Sequence, residues 1–173
     1  MYVLNEYVGK EKVIKALRRL LEQHKPDKQP LTTSLDLYRE LQTITPDSLQ
    51  YLLHDLFAAN TFWDLKTDRA TVKRTAGNAW EVTLDVEAHK VVIDSLGVEK
   101  EIKMNDWVEV GVFVSTDQDV ERKQLYLQKH LIQSGKQRIT MTVASKPTSA
   151  GIDPNYFLID LKTNDNIKKV KIE

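Results

Sequence analysis

The spacing of apolar residues changes near residue 60, and that change most restricts how the chain can fold. Before it, apolar side chains recur every three or four residues, which places them on one face of a helix. After it, apolar and polar residues alternate, as in a strand with one buried and one solvated face. The sequence therefore predicts an α+β chain, with a helical segment over residues 1–60 and a β-sandwich over residues 61–173.

Three helices are expected in the first segment. The first begins at Lys10 with an apolar stripe, and Pro26 ends it because the proline ring fixes φ and removes a donor. Thr33 and Asp36 have the spacing of a capping box at the start of the second helix. Thr45–Asp47 combines a cap, a proline and an acidic residue, and so predicts the start of the third.

The second segment reads as a series of short strands. Alternation is strict over Trp80–Ala88, Trp107–Val114 and Arg138–Val143. Further strands are expected at residues 70–75, 90–94, 99–104, 124–132, 156–161 and 167–172. The turn at Gly97, with apolar runs on either side, predicts a hairpin. About seven to nine strands with regular turn signals predict an antiparallel, immunoglobulin-like sandwich of two sheets.

The composition excludes several classes of function. Lys and Arg number 25 and Asp and Glu number 25, so the formal net charge is zero and a general nucleic-acid binder, which needs a basic footprint, is not expected. The absence of cysteine excludes a disulfide framework, thiol catalysis and cysteine-ligated metal. No apolar run approaches the roughly 18 residues of a membrane span.

The four histidines do not suggest a metal centre. They are His24, His54, His89 and His130, and no two are spaced to present both imidazoles on one helix face toward zinc. His54 and Asp55 could form an acid–base pair, but the apolar stripe beside His54 favours a structural role. His89 and His130 lie in predicted strands, where exposed histidines are ordinary.

Oxygen ligands are concentrated near the end of the chain. They are Asp153, Asp160 and Asp165, with Asn155, Asn164 and Asn166. Such groups suit calcium, but the spacing is not that of an EF-hand, and turns at Asp153 and at residues 164–166 explain them better. No nucleophile elbow, P-loop or dinucleotide fingerprint occurs. We therefore assign no catalytic, cofactor-binding or metal-binding residue from the sequence.

Aromatic residues are frequent in the strand segment. They are Phe62, Trp63, Trp80, Trp107, Phe113, Tyr126, Tyr156 and Phe157. They could form a platform for carbohydrate or peptide. Trp80 and Trp107 lie in phase with apolar positions of their own strands, however, and this phase predicts that both belong to the core.

Two groups of residues resemble a known family. The helical group is Thr33–Leu37, Thr45–Leu52 and Asp55–Phe57; the strand group is Gly97–Glu99, Met104–Gly111, Gly151–Pro154, Leu158–Asp160 and Asp165-Asn166. In this order they resemble the last catalytic-domain helices and the following β-sandwich of aminopeptidase N-like zinc metallopeptidases, the gluzincins. The similarity is to a bacterial subgroup in which the peptidase part is joined to ABC-type permease segments.

The resemblance implies a non-catalytic C-terminal region of a hydrolase. Its partner would be the upstream peptidase domain of the same polypeptide, in a soluble, extracytoplasmic part of a membrane-associated protein. The family's HExxH sequence, downstream glutamate and Gly-rich acidic motif do not occur in these 173 residues. No catalytic residue is therefore carried over, and the zinc is expected in the upstream domain.

A second hypothesis is a freestanding binding module. An immunoglobulin-like sandwich can present an edge strand or a loop to a protein or peptide partner, because an edge carries unpaired backbone groups.

Overall fold

The computed structural model describes residues 1–24, 31–115 and 122–173. The chain divides into two compact units, Met1–Thr61 and Phe62–Glu173, with the boundary one residue after the expected position. The first unit is helical and the second is built from strands, so the predicted α+β class is confirmed. Pro26 and the expected connection around it lie outside the described residues.

The helical unit contains the three expected helices and several short turns. The helices are α1 (Lys10–Gln23), α2 (Ser34–Ile44) and α3 (Gln50–Phe57), and the short turns are an α-helical one at Tyr2–Leu4, a π-helical one at Asn5–Gly9 and a 3₁₀ one at Asp47–Leu49. The predicted capping box is present at the start of α2, where the Thr33 N–H donates to Asp36 Oδ2 at 2.9 Å. The Asp36 N–H donates in return to Thr33 Oγ1.

The core of the helical unit is small. One cluster of buried apolar residues, Leu4, Val8, Val13, Ala16, Leu41 and Leu53, forms it, and Leu20 and Leu52 are also buried. On the apolar stripe of α1, Val13, Ala16 and Leu20 are buried, but Leu21 is 70% exposed. The stripe of α1 is therefore wider than the surface that the other described helices cover.

The strand unit consists of two sheets. The strands are β1 (Thr61–Arg74), β2 (Trp80–Ile93), β3 (Glu99–Ile102), β4 (Asn105–Val114), β5 (Lys123–Gln133), β6 (Gly135–Val143), β7 (Ser149–Ile152), β8 (Ile167–Lys169) and β9 (Lys171–Ile172). Sheet A has the order β3-β2-β1-β9, with β6 also paired to β2, and sheet B has the order β5-β4-β7-β8.

The long strand β2 organises sheet A. It pairs antiparallel with β6 over Trp80–Ala88 and with β3 over Lys90–Ile93. The strands expected at residues 80–88 and 90–94 are thus one continuous strand. The hairpin between β2 and β3 is confirmed, and Gly97 adopts a φ of 79° at its turn, a conformation that favours glycine.

The chain passes from sheet B to sheet A at two places. It does so between β5 and β6 at Ser134, and between β8 and β9 at Val170. The strand expected at residues 167–172 is therefore two strands in different sheets. β9 runs parallel to β1, which corrects the expectation of wholly antiparallel pairing.

One further strand prediction is wrong, and one strand of the structure is not predicted. Residues 156–161 form no strand; Asp160 makes only an isolated parallel bridge to Trp63. In contrast, β7 was not expected, because its four residues are too few to show alternation.

Alternate residues of the central strands fill the interior of the strand unit. In β2 these are Val82, Leu84, Val86 and Ala88, and in β4 they are Val108, Val110 and Val112, all buried. Thr67 of β1 links the two sheets, because its hydroxyl donates to the Asn166 carbonyl at 2.6 Å and accepts from the Ile152 N–H. None of the helices in the described residues is long and apolar enough to cross a membrane.

Candidate functional site

A buried ion pair joins the two sheets. Lys90 Nζ of β2 lies 2.9 Å from Asp106 Oδ2 of β4, and the Trp63 indole N–H of β1 donates to the same oxygen at 3.0 Å. The Lys90 ammonium also lies 5.4 Å from the centroid of the Trp63 ring. The Lys90 and Asp106 side chains are only 5% and 6% exposed. One carboxylate oxygen thus holds three strands together.

The burial of this ion pair decides what it can do. Removing an ammonium and a carboxylate from water costs several kcal/mol per ion, which good geometry and further hydrogen bonds must offset. The Trp63 indole supplies such a hydrogen bond, and an aromatic face near the ammonium adds attraction. Because the charges are withdrawn from solvent, we interpret the ion pair as a connection between the sheets rather than as an acid–base site.

The Asp153 side chain builds a buried turn. Its Oδ1 accepts the Phe157 N–H at 3.0 Å and its Oδ2 accepts the Leu158 N–H at 3.1 Å. Its own N–H donates to the Glu109 carbonyl at 2.7 Å, and its φ is 42°. Asp153 is fully buried. Both oxygens are thus occupied by backbone donors, as the turn interpretation of this segment predicts.

Burial raises the pKa of Asp153 to about 6, although the two backbone hydrogen bonds act in the opposite direction. A carboxyl group whose pKa is raised on folding stabilises the fold at pH values below its ordinary pKa of 3.8. This contribution of Asp153 is lost as the pH rises through 6. We therefore expect the free energy of unfolding of the wild type, minus that of Asp153→Asn, to fall between pH 4 and pH 7. Urea unfolding at a series of pH values measures this difference.

Asp85→Asn is the matched control for that experiment. Arg138 lowers the pKa of Asp85 through a hydrogen bond and its charge. The stabilisation from Asp85 is therefore present above its ordinary pKa and lost as the pH falls, so its difference curve slopes the other way. Parallel slopes for the two variants would contradict the role given to Asp153.

Of the other candidate oxygen ligands, Asp160 and Asn155 make hydrogen bonds within the chain and Asp165 lies in a short turn. Asp160 Oδ1 accepts the Lys162 N–H at 2.9 Å, and burial raises the pKa of Asp160. Asp165 belongs to a short helical turn, Thr163–Asp165, and the Asn155 amide donates to Glu109 Oε2 at 2.7 Å. Over residues 1–24, 31–115 and 122–173, no three His, Cys, Asp or Glu side chains are grouped so as to hold a metal ion.

The His54–Asp55 pair does not have catalytic geometry. His54 Nδ1 lies 3.7 Å from Asp55 Oδ1, beyond hydrogen-bond distance, and the His54 side chain is 60% exposed while Asp55 is buried. The other histidines make separate contacts. His130 Nε2 lies 2.8 Å from the Tyr126 hydroxyl, and burial lowers the pKa of His130. His24 Nδ1 lies 3.2 Å from the Leu20 carbonyl oxygen.

The prediction that Trp107 belongs to the core is wrong. Trp107 is 38% exposed, because the inward residues of β4 are Asp106, Val108 and the alternate residues that follow. Trp107 has the opposite parity and shares the outer side with its register partner Leu131 of β5, which is 44% exposed. Trp80 is half-buried, and Trp63 is fully buried.

The outer sides of the two sheets differ in chemistry. Ion pairs cross the outer side of sheet A, and they are Lys66–Asp68, Lys73–Glu81, Lys136–Asp68, Lys136–Glu87 and Arg138–Asp85. The outer side of sheet B instead presents Trp107 and Leu131. The first surface is typical of a solvated sheet.

Comparison with known proteins adds no family. No family model matches the chain, and no curated protein matches it. The fold and the buried polar groups define an α+β protein with a helical unit and a two-sheet unit, in which Asp106 and Asp153 stabilise internal structure.

Proposed function

We propose that this chain is the non-catalytic C-terminal region of an aminopeptidase N-like zinc metallopeptidase, of the bacterial subgroup joined to ABC-type permease segments. One observation carries the proposal: the chain forms a compact helical unit followed directly by a compact unit of two sheets. The family resemblance of the sequence has the same order. The residues behind it include the capped start of α2 and the buried turn at Asp153.

In this role the strand unit is an immunoglobulin-like buttress. A supporting domain must be rigid, and the ion pair between Lys90 and Asp106 fixes the position of one sheet relative to the other. The helical unit, with its small core and the exposed Leu21 on α1, would complete the helices of the peptidase domain. The exposed Leu21 supports this part of the proposal, because an apolar side chain on a helix face is stabilised when another surface covers it.

The zinc of such a peptidase finds no set of ligands in the described residues, since their carboxylates and imidazoles are not grouped for metal binding. We therefore derive no catalytic step from this chain. The proposal assigns the metal, the general base and the recognition of the substrate amine to the upstream domain. This chain would support the structure of the upstream peptidase domain.

Activity measurements test the proposal. The purified chain, with added zinc and a panel of aminoacyl p-nitroanilides, should release no nitroaniline above the blank, while a known zinc aminopeptidase serves as positive control. The reading frame that encodes the chain should continue upstream into an HExxH sequence and apolar spans. Turnover by the chain alone, or a reading frame without that upstream sequence, would overturn the proposal.

A freestanding module that binds an extended peptide is the second candidate. The observation that favours it is β5, an eleven-residue strand that pairs with β4 on one side and, among the described residues, forms no second ladder. Peptides selected from a display library against the full chain test it. Strand addition predicts slower amide exchange in β5 on binding, and N-methylation of alternate peptide residues should abolish binding.

A further inference from the structure

The short strand β3 is attached to the fold by few contacts. It has four residues, three of them exposed and one half-buried, and among the described residues it pairs only with the end of β2. An element with so little buried apolar surface opens at low free-energy cost, because its backbone pairing is exposed to water. A side-chain contact across this pair of strands therefore has a large share in holding β3.

His89 provides such a contact. Its Nδ1 lies 2.7 Å from Glu101 Oε1 on β3, and its Nε2 lies 3.5 Å from Glu87 Oε1 on β2. Both ring nitrogens thus face carboxylate oxygens. A neutral imidazole carries one N–H and can donate to one of them, whereas the imidazolium donates to both. The arrangement fits the protonated ring.

We propose that protonated His89 holds β3 against β2 through its contact with Glu101, an interaction that we call the clasp. At acidic pH β3 stays paired with β2, and as the pH rises and His89 loses its proton, β3 opens more readily. Opening of β3 frees the edge of β2 at Lys90–Ile93 for pairing with another strand. The hairpin tip, where Leu96 is 86% exposed, moves with it. The clasp does not depend on the proposed peptidase role.

The charges around His89 are mixed. The groove that holds His89 and Glu87 is also lined by Asp64, Lys66, Lys162 and Asp165, and Lys136 Nζ lies 3.8 Å from Glu87 Oε2. The hydrogen bond that His89 donates to Glu101 is the largest influence on its pKa, and together with the one it donates to Glu87 it raises that pKa above 6.5. The clasp is therefore complete below pH 6.5 and is lost as the pH rises through the raised value.

Amide exchange and histidine titration of the full chain test the clasp. Protection of the amides of residues 99–102, corrected for intrinsic exchange, should fall roughly twofold to fivefold between pH 5.5 and pH 8.5. A change of this size corresponds to the stabilisation that an exposed ion pair typically provides. Protection in the middle of β4 should not follow this titration. The His89 ring should titrate above 6.5 by NMR.

Two variants separate the clasp from a general effect of charge. Glu101→Gln removes the acceptor, so the pKa of His89 should fall and the pH dependence of β3 protection should disappear. Glu99→Gln removes one negative charge from the same strand and should leave both unchanged. Equal behaviour of the two variants, or a wild-type His89 that titrates at or below 6.5, would overturn the proposal.

Discussion

Replacing Asp106 with alanine should reduce the free energy of unfolding by about 3–5 kcal/mol. The substitution leaves the Lys90 ammonium buried without its carboxylate and removes the acceptor of the Trp63 indole N–H. An uncompensated buried charge costs far more than the intact pair contributes, because neither water nor an opposite charge replaces the lost partner. Urea unfolding followed by tryptophan fluorescence measures the loss.

Asp85→Ala is the matched control, because it also removes an aspartate from a cross-strand ion pair. Asp85 Oδ1 lies 2.7 Å from Arg138 Nε, but the Asp85 side chain is 29% exposed and the Arg138 side chain is 67% exposed. An exposed pair contributes roughly 0–1 kcal/mol, so this variant should unfold close to the wild type. A loss for Asp106→Ala no larger than that for Asp85→Ala would refute the role of the buried pair.

A double variant distinguishes the unpaired charge from loss of packing. Lys90→Met combined with Asp106→Leu removes both charges while keeping similar volume, and such replacements are commonly neutral or stabilising by about 1–4 kcal/mol. We expect the double variant to be more stable than Asp106→Ala. If it is equally unstable, packing around the Trp63 ring accounts for the loss, and the charge does not.

The periodicity of the sequence predicts the fold class because burial acts on every residue of an element. Residues 80–88 alternate along β2 without interruption, so the strand is visible from the sequence alone. The pairing of strands is a different matter. β9 joins sheet A through two residues and lies parallel to β1, and two residues are too few to show a period.

The positions of the two residues of the buried ion pair are also consistent with burial when read from the sequence. Lys90 follows Ala88 at the inward phase of β2, and Asp106 precedes Val108 at the inward phase of β4. Opposite charges at inward positions of two strands are a sign of internal pairing. Extending the apolar alternation of β4 to Trp107 has the wrong parity, because the inward residues are Asp106 and Val108.

Local chemistry predicted the turns more reliably than the contacts. The turn predicted at Asp153 is confirmed by the hydrogen bonds to its side chain, and the one predicted at residues 164–166 falls on the short helical turn Thr163–Asp165. The contact of Asp153 with the Glu109 carbonyl joins residues 44 positions apart, which no local pattern reveals. The same limit applies to His89 and Glu101, whose meeting requires the β2–β3 register.

Gly151→Ala should be the second severe substitution, with an expected loss of about 3 kcal/mol or more. Gly151 of β7 lies opposite Ile167 of β8, and a methyl group placed on it would lie 2.0 Å from the Asn166 carbonyl oxygen and 2.7 Å from Ile167 Cα. Both are backbone atoms, so rotating a side chain cannot relieve the contact. Strands β7 and β8 would have to separate.

That separation would also disturb the connection between the sheets. The Asn166 carbonyl accepts the Thr67 hydroxyl of β1 and the Ile152 N–H of β7, so moving it weakens both hydrogen bonds. Gly77→Ala is the control, because no atom lies within 4 Å of an added methyl group there, and it should change stability by no more than about 0.5 kcal/mol. Insoluble Gly151→Ala beside soluble Gly77→Ala also fits the expectation. Equal unfolding midpoints for the two variants would show that β8 can move away from β7 at little cost.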